Sequence, residues 1–444
     1  MLIVGGSLLN GRRADVRIIG DRIVEVAPSL APTRGEEEID VLGGTILPGL
    51  HDHHVHLRAM AAAALSVRLD PATVRGRVGL AESLAVASPD AVGWIRAVGY
   101  HESIAGDLDR HLLDALDPVR PVRIQHRTGA MWFVNTPGLR LLGLADHPTG
   151  RVYRDDHVLA AHTSVDTDLT VLGHDLAALG ITGVTEATPD LTDADLVDLR
   201  RALTDGALPQ RLHVLRAPGE SRHPRLTHGP TKRIIDDDVD CAEFTDWLTA
   251  QRRQARPVAV HCVTVLQLVV TITALREVGT LPGDRIEHAA VVPDDLLATL
   301  GDLGITVVTQ PNFVSERGDQ YLADVPADEL PGLWRLASLI EAGVPLAGST
   351  DAPFGHHDSW AAMRAACARR APSGATIGEN ERLSPRAALG LFLGRPDAPA
   401  QVRRVEIGAV ADLCLARAAP EELLEALSAE TVVGVVIGGQ HFSF

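Results

Sequence analysis

The sequence predicts an α/β fold: a closed (β/α)8 TIM barrel with a small β-sandwich domain built from both chain termini. Three observations carry this. Eight short β-branched runs alternate with amphipathic stretches through the middle of the chain, strand-like segments crowd both ends, and turn-forming glycines punctuate the whole. A doubly wound open sheet is the alternative for the same alternation.

The elements follow in order. Leu2 to Val4, Val16 to Ile19 and Ile23 to Val26 read as strands, the last two joined by the hairpin signal Gly20-Asp21. The central strands are expected at Thr45 to Leu50, Thr182 to Glu186, Arg211 to Leu215, Thr231 to Ile235, Pro257 to His261, Arg285 to His288, Ile305 to Gln310 and Pro345 to Ser349. Helical periodicity marks Leu191 to Leu203, Ala242 to Ala255, Val265 to Val278, Asp294 to Leu303 and Pro331 to Ala342, most of them closed by a glycine. The gap after the first central strand is too long for one crossover helix, so an insertion is expected at about 58–165, with strands at Val122 to Gln125 and Trp132 to Asn135. Val402 to Ile407, Ala411 to Ala416 and Val432 to Ile437, with a Gly438-Gly439 hairpin to His441 to Phe444, return to the terminal domain. The expected domains are 1–45 plus 400–444, and 46–399 for the barrel.

Of the 444 residues, 45% are apolar and 22% charged, which excludes a disordered or low-complexity chain. Forty-one basic against 58 acidic residues leave a formal charge of −17, arguing against nucleic acid or an anionic membrane as partner and for a small-molecule substrate. No signal peptide or membrane span is recognisable and the four cysteines form no CxxC pair, so a cytoplasmic protein is expected, without thiolate metal sites. A homodimer is the base-rate expectation.

Chemistry concentrates at strand ends. His54 and His56 alternate along the first strand and so project to one side, where they can share an ion. His261 closes strand five, His288 closes strand six and Asp351 follows strand eight, all at the mouth where such barrels carry out chemistry. Most of the other histidines, among them His101, His126, His157, His162 and His213, read as solvated or structural. Basic residues number 40 Arg and a single Lys, Lys232 in strand four. Arginine cannot supply a deprotonated amine, whereas a lysine amine can add CO2. The resulting carbamate on Lys232 is an anion able to bridge two cations, where an ammonium would repel them.

LPGLHDHHVH (Leu47 to His56), GPTKRIIDD (Gly229 to Asp237), VAVHC (Val258 to Cys262), DRIEHA (Asp284 to Ala289), VVTQPNF (Val307 to Phe313) and GSTDAPF (Gly348 to Phe354) together resemble the metal-dependent amidohydrolase superfamily. Together with Arg120 to Leu144 they resemble its branch that includes N-substituted formamide deformylase, amidohydrolase family 3, and Ile407 to Ala416 resembles the usual C-terminal return into the small sheet. The resemblance implies that His54 and His56 hold a first ion with Asp351, that His261 and His288 hold a second, and that carboxylated Lys232 bridges them. The two divalent ions are expected to be zinc. Thr128-Gly129-Ala130 stands where relatives commonly carry Asp-Gly-His, which removes a pocket histidine.

Such a centre lowers the pKa of a water, giving a hydroxide that attacks a carbonyl carbon, with Asp351 taking its proton and passing it to the leaving nitrogen. The expected reaction is hydrolysis of an amide-type C–N bond in a small molecule. A deaminase on the same barrel is the nearest alternative, although superfamily deaminases usually carry a Glu three residues after the strand-five histidine, where His261-Cys262-Val263-Thr264 has Thr264. Lactone or ester cleavage uses the same apparatus, and a non-catalytic scaffold would be expected to have lost ligands. Trp132, Asn135 and His356 are candidate substrate contacts.

Overall fold

A computed structural model describes residues 1–155, 158–159, 168–217 and 222–444. His157 and His162 lie outside the described residues, as does part of the expected insertion. The chain divides into two compact units, residues 1–56 with 170–444, and residues 57–169. The fold is α/β.

In the first unit the two chain ends meet in one eight-stranded sheet, ordered Gln440–Ser443, Val432–Ile437, Leu413–Ala416, Thr45–Pro48, Leu2–Leu8, Arg13–Ile19 and Arg22–Ala27, with Glu38–Asp40 pairing Leu2–Leu8. Ile3, Val16, Ile18, Ile46, Leu413 and Val436 point from it into one apolar cluster. Both hairpins turn where the glycines predict, with Gly20 at φ +60°, and Gly438 and Gly439 at +57° and +81°, conformations that cost a β-carbon dearly.

Two parallel sheets make the rest. One runs Leu226–His228, Arg211–Val214, Ile181–Glu186, Leu50–Val55, and the other Thr231–Ile234, Val258–Cys262, Arg285–His288, Thr306–Thr309, Leu346–Gly348. Backbone bonds join them at both edges. Asp351 N donates to His54 O (3.0 Å) and His56 N to Ala352 O (2.8 Å), while Lys232 N donates to Leu215 O (3.3 Å). Because every neighbour pair here is parallel, all C-terminal ends face one way, and helices such as Val265–Val278 and Asp294–Leu303 return the chain between strands.

Three expected elements are corrected. The first central strand is two strands: Thr45–Pro48 pairs Leu413–Ala416 in the terminal sheet, and Leu50–Val55 pairs Ile181–Glu186. An apolar run cannot show that its pairing partner changes partway. Val402 to Ile407 forms only an isolated bridge, Val402 to Gly394. Pro331 to Ala342 is a 3-10 turn, Leu330–Gly332, and a short helix, Ala337–Glu341. The break falls where Leu333 bridges Val291 and Trp334, at φ +49°, donates its N–H to Ala290 O (2.7 Å), contacts with a distant segment that replace the helical bonds.

The second unit holds a five-stranded sheet, Arg151–Tyr153, Met131–Val134, Val122–His126, Ile95–Tyr100 and Val67–Arg68. Leu80, Ile95, Tyr100, Ile124 and Phe133 pack on one side and Trp94, Trp132, Val134 and Leu139 form a separate cluster. These residues bury enough apolar surface to give the insertion its own core.

Candidate metal centre

Six side chains converge in sequence order from the strand ends: His54, His56, Lys232, His261, His288 and Asp351. The structure brings His54, His56 and Asp351 together so that one ligand atom of each lies within 4.8 Å of the others. Asp351 Oδ1 is 3.5 Å from His54 Nε2 and 3.3 Å from His56 Nε2. Atoms about 2.0 to 2.2 Å from a tetrahedral ion stand roughly 3.3 to 3.6 Å apart, so this spacing suits a shared cation. The same Oδ1 is buried and accepts no hydrogen bond among the described residues. An orphaned buried carboxylate oxygen is costly unless something positive faces it.

Lys232 Nζ lies 3.4 Å from His54 Nε2. The His288 ring stands 4.9 Å from that of His54 and 4.5 Å from that of His261, centroid to centroid. One cluster thus contains all six residues.

The imidazoles are held by their far nitrogens. His54 Nδ1 donates to Glu287 Oε2, His288 Nδ1 donates to Gln310 Oε1 (2.8 Å), and His56 Nδ1 meets Thr188 Oγ1 (3.0 Å). Carboxylate and amide oxygens only accept, which puts the proton on Nδ1 of His54 and His288 and leaves each Nε2 lone pair for an ion. Glu287 is itself clamped by Arg285, whose Nη2 donates to its Oε2 (2.9 Å) and to His53 O (2.7 Å). Gln310 Nε2 donates on to Ser349 Oγ (2.8 Å), so the second imidazole is oriented through two buried side chains. Sequence reasoning missed Glu287, Arg285, Gln310 and Thr188 as supporting residues. The first two lie inside DRIEH, beside a predicted ligand; nothing in the local pattern marks the others.

Charge follows from burial. Desolvation, with Lys232 beside it, pushes His54 down to about 3, and burial with His288 and Lys232 nearby pushes His261 well below the ordinary imidazole range. Burial also lowers His288. The neutral form that results is the one that binds metal. Burial would raise Glu287, but Arg285, Lys232 and His54 hold it well below the usual carboxylate range. Asp351 is held below the usual carboxylate range against its burial, chiefly by its contact with His56. Asp52, fully buried, is pushed up to about 7 by desolvation despite its bonds from Thr350 Oγ1 (2.6 Å) and Thr350 N (3.1 Å). That pair ties the first strand to the segment carrying Asp351.

Two of the six residues sit on strained backbone, His288 at φ +73° and Asp351 at +54°, with Ala289 at +48°. Non-glycine residues hold such angles only where surrounding contacts enforce them, and they gather at functional sites.

The candidate substrate residues fare differently. Trp132 is 5% exposed, packed in the insertion's core with the Arg96 and Arg123 guanidinium groups 5.4 and 5.6 Å from its ring centre. Asn135 is buried; its Oδ1 accepts from Val122 N (2.9 Å) and Gly138 N (3.0 Å), while Nδ2 donates to Asp117 O (3.0 Å) and Arg120 O (2.8 Å). All its hydrogen-bonding capacity goes to holding the insertion together, which corrects its assignment to substrate. His356 is exposed, stacked on His357 with ring centres 4.8 Å apart, and accepts from Asp358 N (3.2 Å). Phe354, closer to Asp351 in sequence, packs its ring edge-on to His56 at 5.3 Å.

An α/β fold with inward imidazoles and a buried carboxylate at the strand ends defines a metal-dependent hydrolase. Residues 37–442 match the model of the amidohydrolase family, and the chain belongs to that family as a hydrolase of carbon–nitrogen bonds. It is similar to YtcJ of Bacillus subtilis (strain 168), 23% identical over 80% of each chain. It is also similar to N-substituted formamide deformylase of Arthrobacter pascens, 24% identical over 91% of this chain and 87% of that one. Among solved structures, an uncharacterised metal-dependent hydrolase from Pyrococcus horikoshii OT3 shares the fold, with a TM-score of 0.75 and 20% identity over 92% of this chain and 95% of that one.

Proposed function

We propose that this protein hydrolyses an amide-type C–N bond of a small molecule, using two divalent ions, zinc, at the mouth of a closed (β/α)8 TIM barrel that carries a composite terminal β-sandwich domain. The observation that carries the reading is Asp351 Oδ1, buried, without a hydrogen bond, and facing the Nε2 atoms of His54 and His56. His54, His56 and Asp351 would hold one ion and His261 and His288 the other. Lys232, as its carbamate, would lie between them. Zinc suits the borderline nitrogen and oxygen donors. Lys232 supports its part by being fully buried and lowered by desolvation to about 8, which enlarges the neutral fraction that reacts with CO2.

When bound, the ions supply a water of lowered pKa and polarisation of the substrate carbonyl. The chain's own residues do the rest. Asp351, held below the usual carboxylate range chiefly by His56, would take the proton of the attacking water on a carboxylate oxygen. It then delivers that proton to the departing nitrogen, which cannot leave as an anion. Glu287 and Gln310 keep His54 and His288 in the orientation and tautomer that hold the site open for water and substrate. The deformylase named above lends the formamide class as the first substrates to try.

Four unbridged cysteines fit a reducing, cytoplasmic compartment, and no helix among the described residues is long and apolar enough to cross a membrane. A small-molecule substrate without nucleic acid or membrane partners, acting in a homodimer, completes the reading. Elemental analysis of protein purified without chelators, paired with a screen of formamides, amides and lactones, tests it. Formamide or amide hydrolysis that disappears with a chelator and returns with zinc is expected. Chelator-insensitive turnover, or deamination alone, counts against it.

A further inference from the structure

The insertion carries a second convergence of metal-ligating groups that the hydrolytic reaction does not use. Ile95–Tyr100 and Val122–His126 are parallel neighbours, with Tyr100 opposite His126 in the register. His126 therefore ends one strand where His101 follows the other. Arg127 N donates to Tyr100 O (2.8 Å), fixing the two chain exits side by side. Glu102 follows His101 at the start of the helix Glu102–Ala105.

One atom each of His101, Glu102 and His126 lies within 4.8 Å of the other two. Glu102 Oε2 is 3.1 Å from His126 Nε2 and 3.7 Å from His101 Nε2. These separations bracket the roughly 3.3 Å expected between two ligand atoms on a tetrahedral ion with bonds of about 2.0 to 2.1 Å. Both imidazoles are 13% exposed and the carboxylate 44%, so the cluster is sheltered yet reachable from solvent.

The far side of each ring is the more telling part. His101 Nδ1 lies 2.9 Å from Ser103 Oγ, and His126 Nδ1 lies 2.8 Å from Thr128 Oγ1. Each Nδ1 also accepts the backbone N–H of the residue that carries this hydroxyl, so the ring proton sits on Nε2 facing Glu102, and the hydroxyl is the group that could accept it at Nδ1 once an ion takes Nε2. Two histidines with the same His-x-Ser/Thr turn thus present Nε2 to one carboxylate oxygen.

We propose that His101, Glu102 and His126 bind a divalent first-row ion, zinc or its near neighbours, separately from the hydrolytic centre. Two imidazoles and one carboxylate suit such an ion, with a water completing the coordination. Without metal, an Nε2 proton on each ring faces Glu102, and Nδ1 takes the backbone N–H of Ser103 (3.2 Å) or Thr128 (3.3 Å). Metal uptake requires each ring proton to move from Nε2 to Nδ1, where the hydroxyl of Ser103 or Thr128 accepts it in place of the backbone N–H donation. The ion ties together the ends of two strands of the insertion.

The test is zinc titration of the chelator-stripped full-length protein against a chromophoric competitor. Wild type is expected to take up one more equivalent than the double variant His101→Ala/His126→Ala. In Lys232→Arg, altered only at the other centre, that equivalent should persist. Thr128→Val, which cannot accept from Nδ1, should weaken it about 10-fold. Equal uptake by wild type and the double variant overturns the proposal. Should the double variant fail to fold, Glu102→Gln on its exposed side chain answers the same question, and unchanged affinity there and in Thr128→Val is equally fatal.

Discussion

Glu287 accepts the Nδ1 proton of His54 while Arg285 grips both of its oxygens, so a buried ion pair decides which nitrogen of a candidate metal ligand faces the site. Glu287→Gln keeps the shape and removes the charge. Metal affinity is expected to fall about 10- to 100-fold, because the partner that orients the ligand and raises its basicity is weakened. Leaving Arg285 buried without its counter-charge should also cost about 3 to 5 kcal/mol. Chelator competition and denaturant melts read the two effects; an unchanged metal affinity removes Glu287 from the centre.

Asp351→Asn separates acid–base work from folding. The amide cannot take a proton from water at neutral pH, so turnover should drop at least about 100-fold against whichever amide proves to be the substrate. Circular dichroism should stay as in wild type. Retained turnover would overturn the assignment.

Lys232→Arg keeps a positive, long side chain but cannot form a carbamate. The hydrolytic centre should lose one ion, and most activity with it, as read by metal content and rate on the same preparation. Two ions still held at that centre would show that no bridging lysine is needed.

Asn135→Ala should destabilise the insertion by about 2 to 3 kcal/mol, since Val122 N and Gly138 N lose their acceptor inside the protein. KM should be unchanged relative to wild type at a temperature where both are folded. A KM shift without loss of stability would restore a substrate role.

Acid should unfold the protein early. His213 is lowered by burial from the ordinary 6.5 to about 3, and burial likewise holds His51 and His53 well below 6.5. For a group whose folded pKa is depressed in this way, the unfolded chain binds more protons below 6.5. Stability is then full above that pH and falls as pH drops from about 6.5 towards 3, by up to about 1.4 kcal/mol per pH unit per imidazole. Thermal melts of metal-free protein at pH 7.5, 6 and 5 measure this. A flat melting temperature across that range would mean these rings are not buried neutral in solution.

Much of this protein is determined by its sequence alone. The alternation of apolar runs and helical stretches placed seven of the eight central strands within a residue or two of where they form, because strand length and burial leave a strong period. His54 and His56, two apart at the end of one strand, are expected to face the same way, and both reach Asp351. The lone Lys232 stood out by composition. Tertiary structure decided the rest. It split Thr45 to Leu50 between two sheets and broke Pro331 to Ala342 at Trp334, since pairing partners far away in sequence compete with local propensity. It also took Asn135 into the insertion's own hydrogen bonds and set Glu287, Gln310 and Thr188 behind the ligands. Ligand type is written locally in the chain, but the choice of imidazole nitrogen and the charge on a buried carboxylate depend on neighbours brought together only by folding.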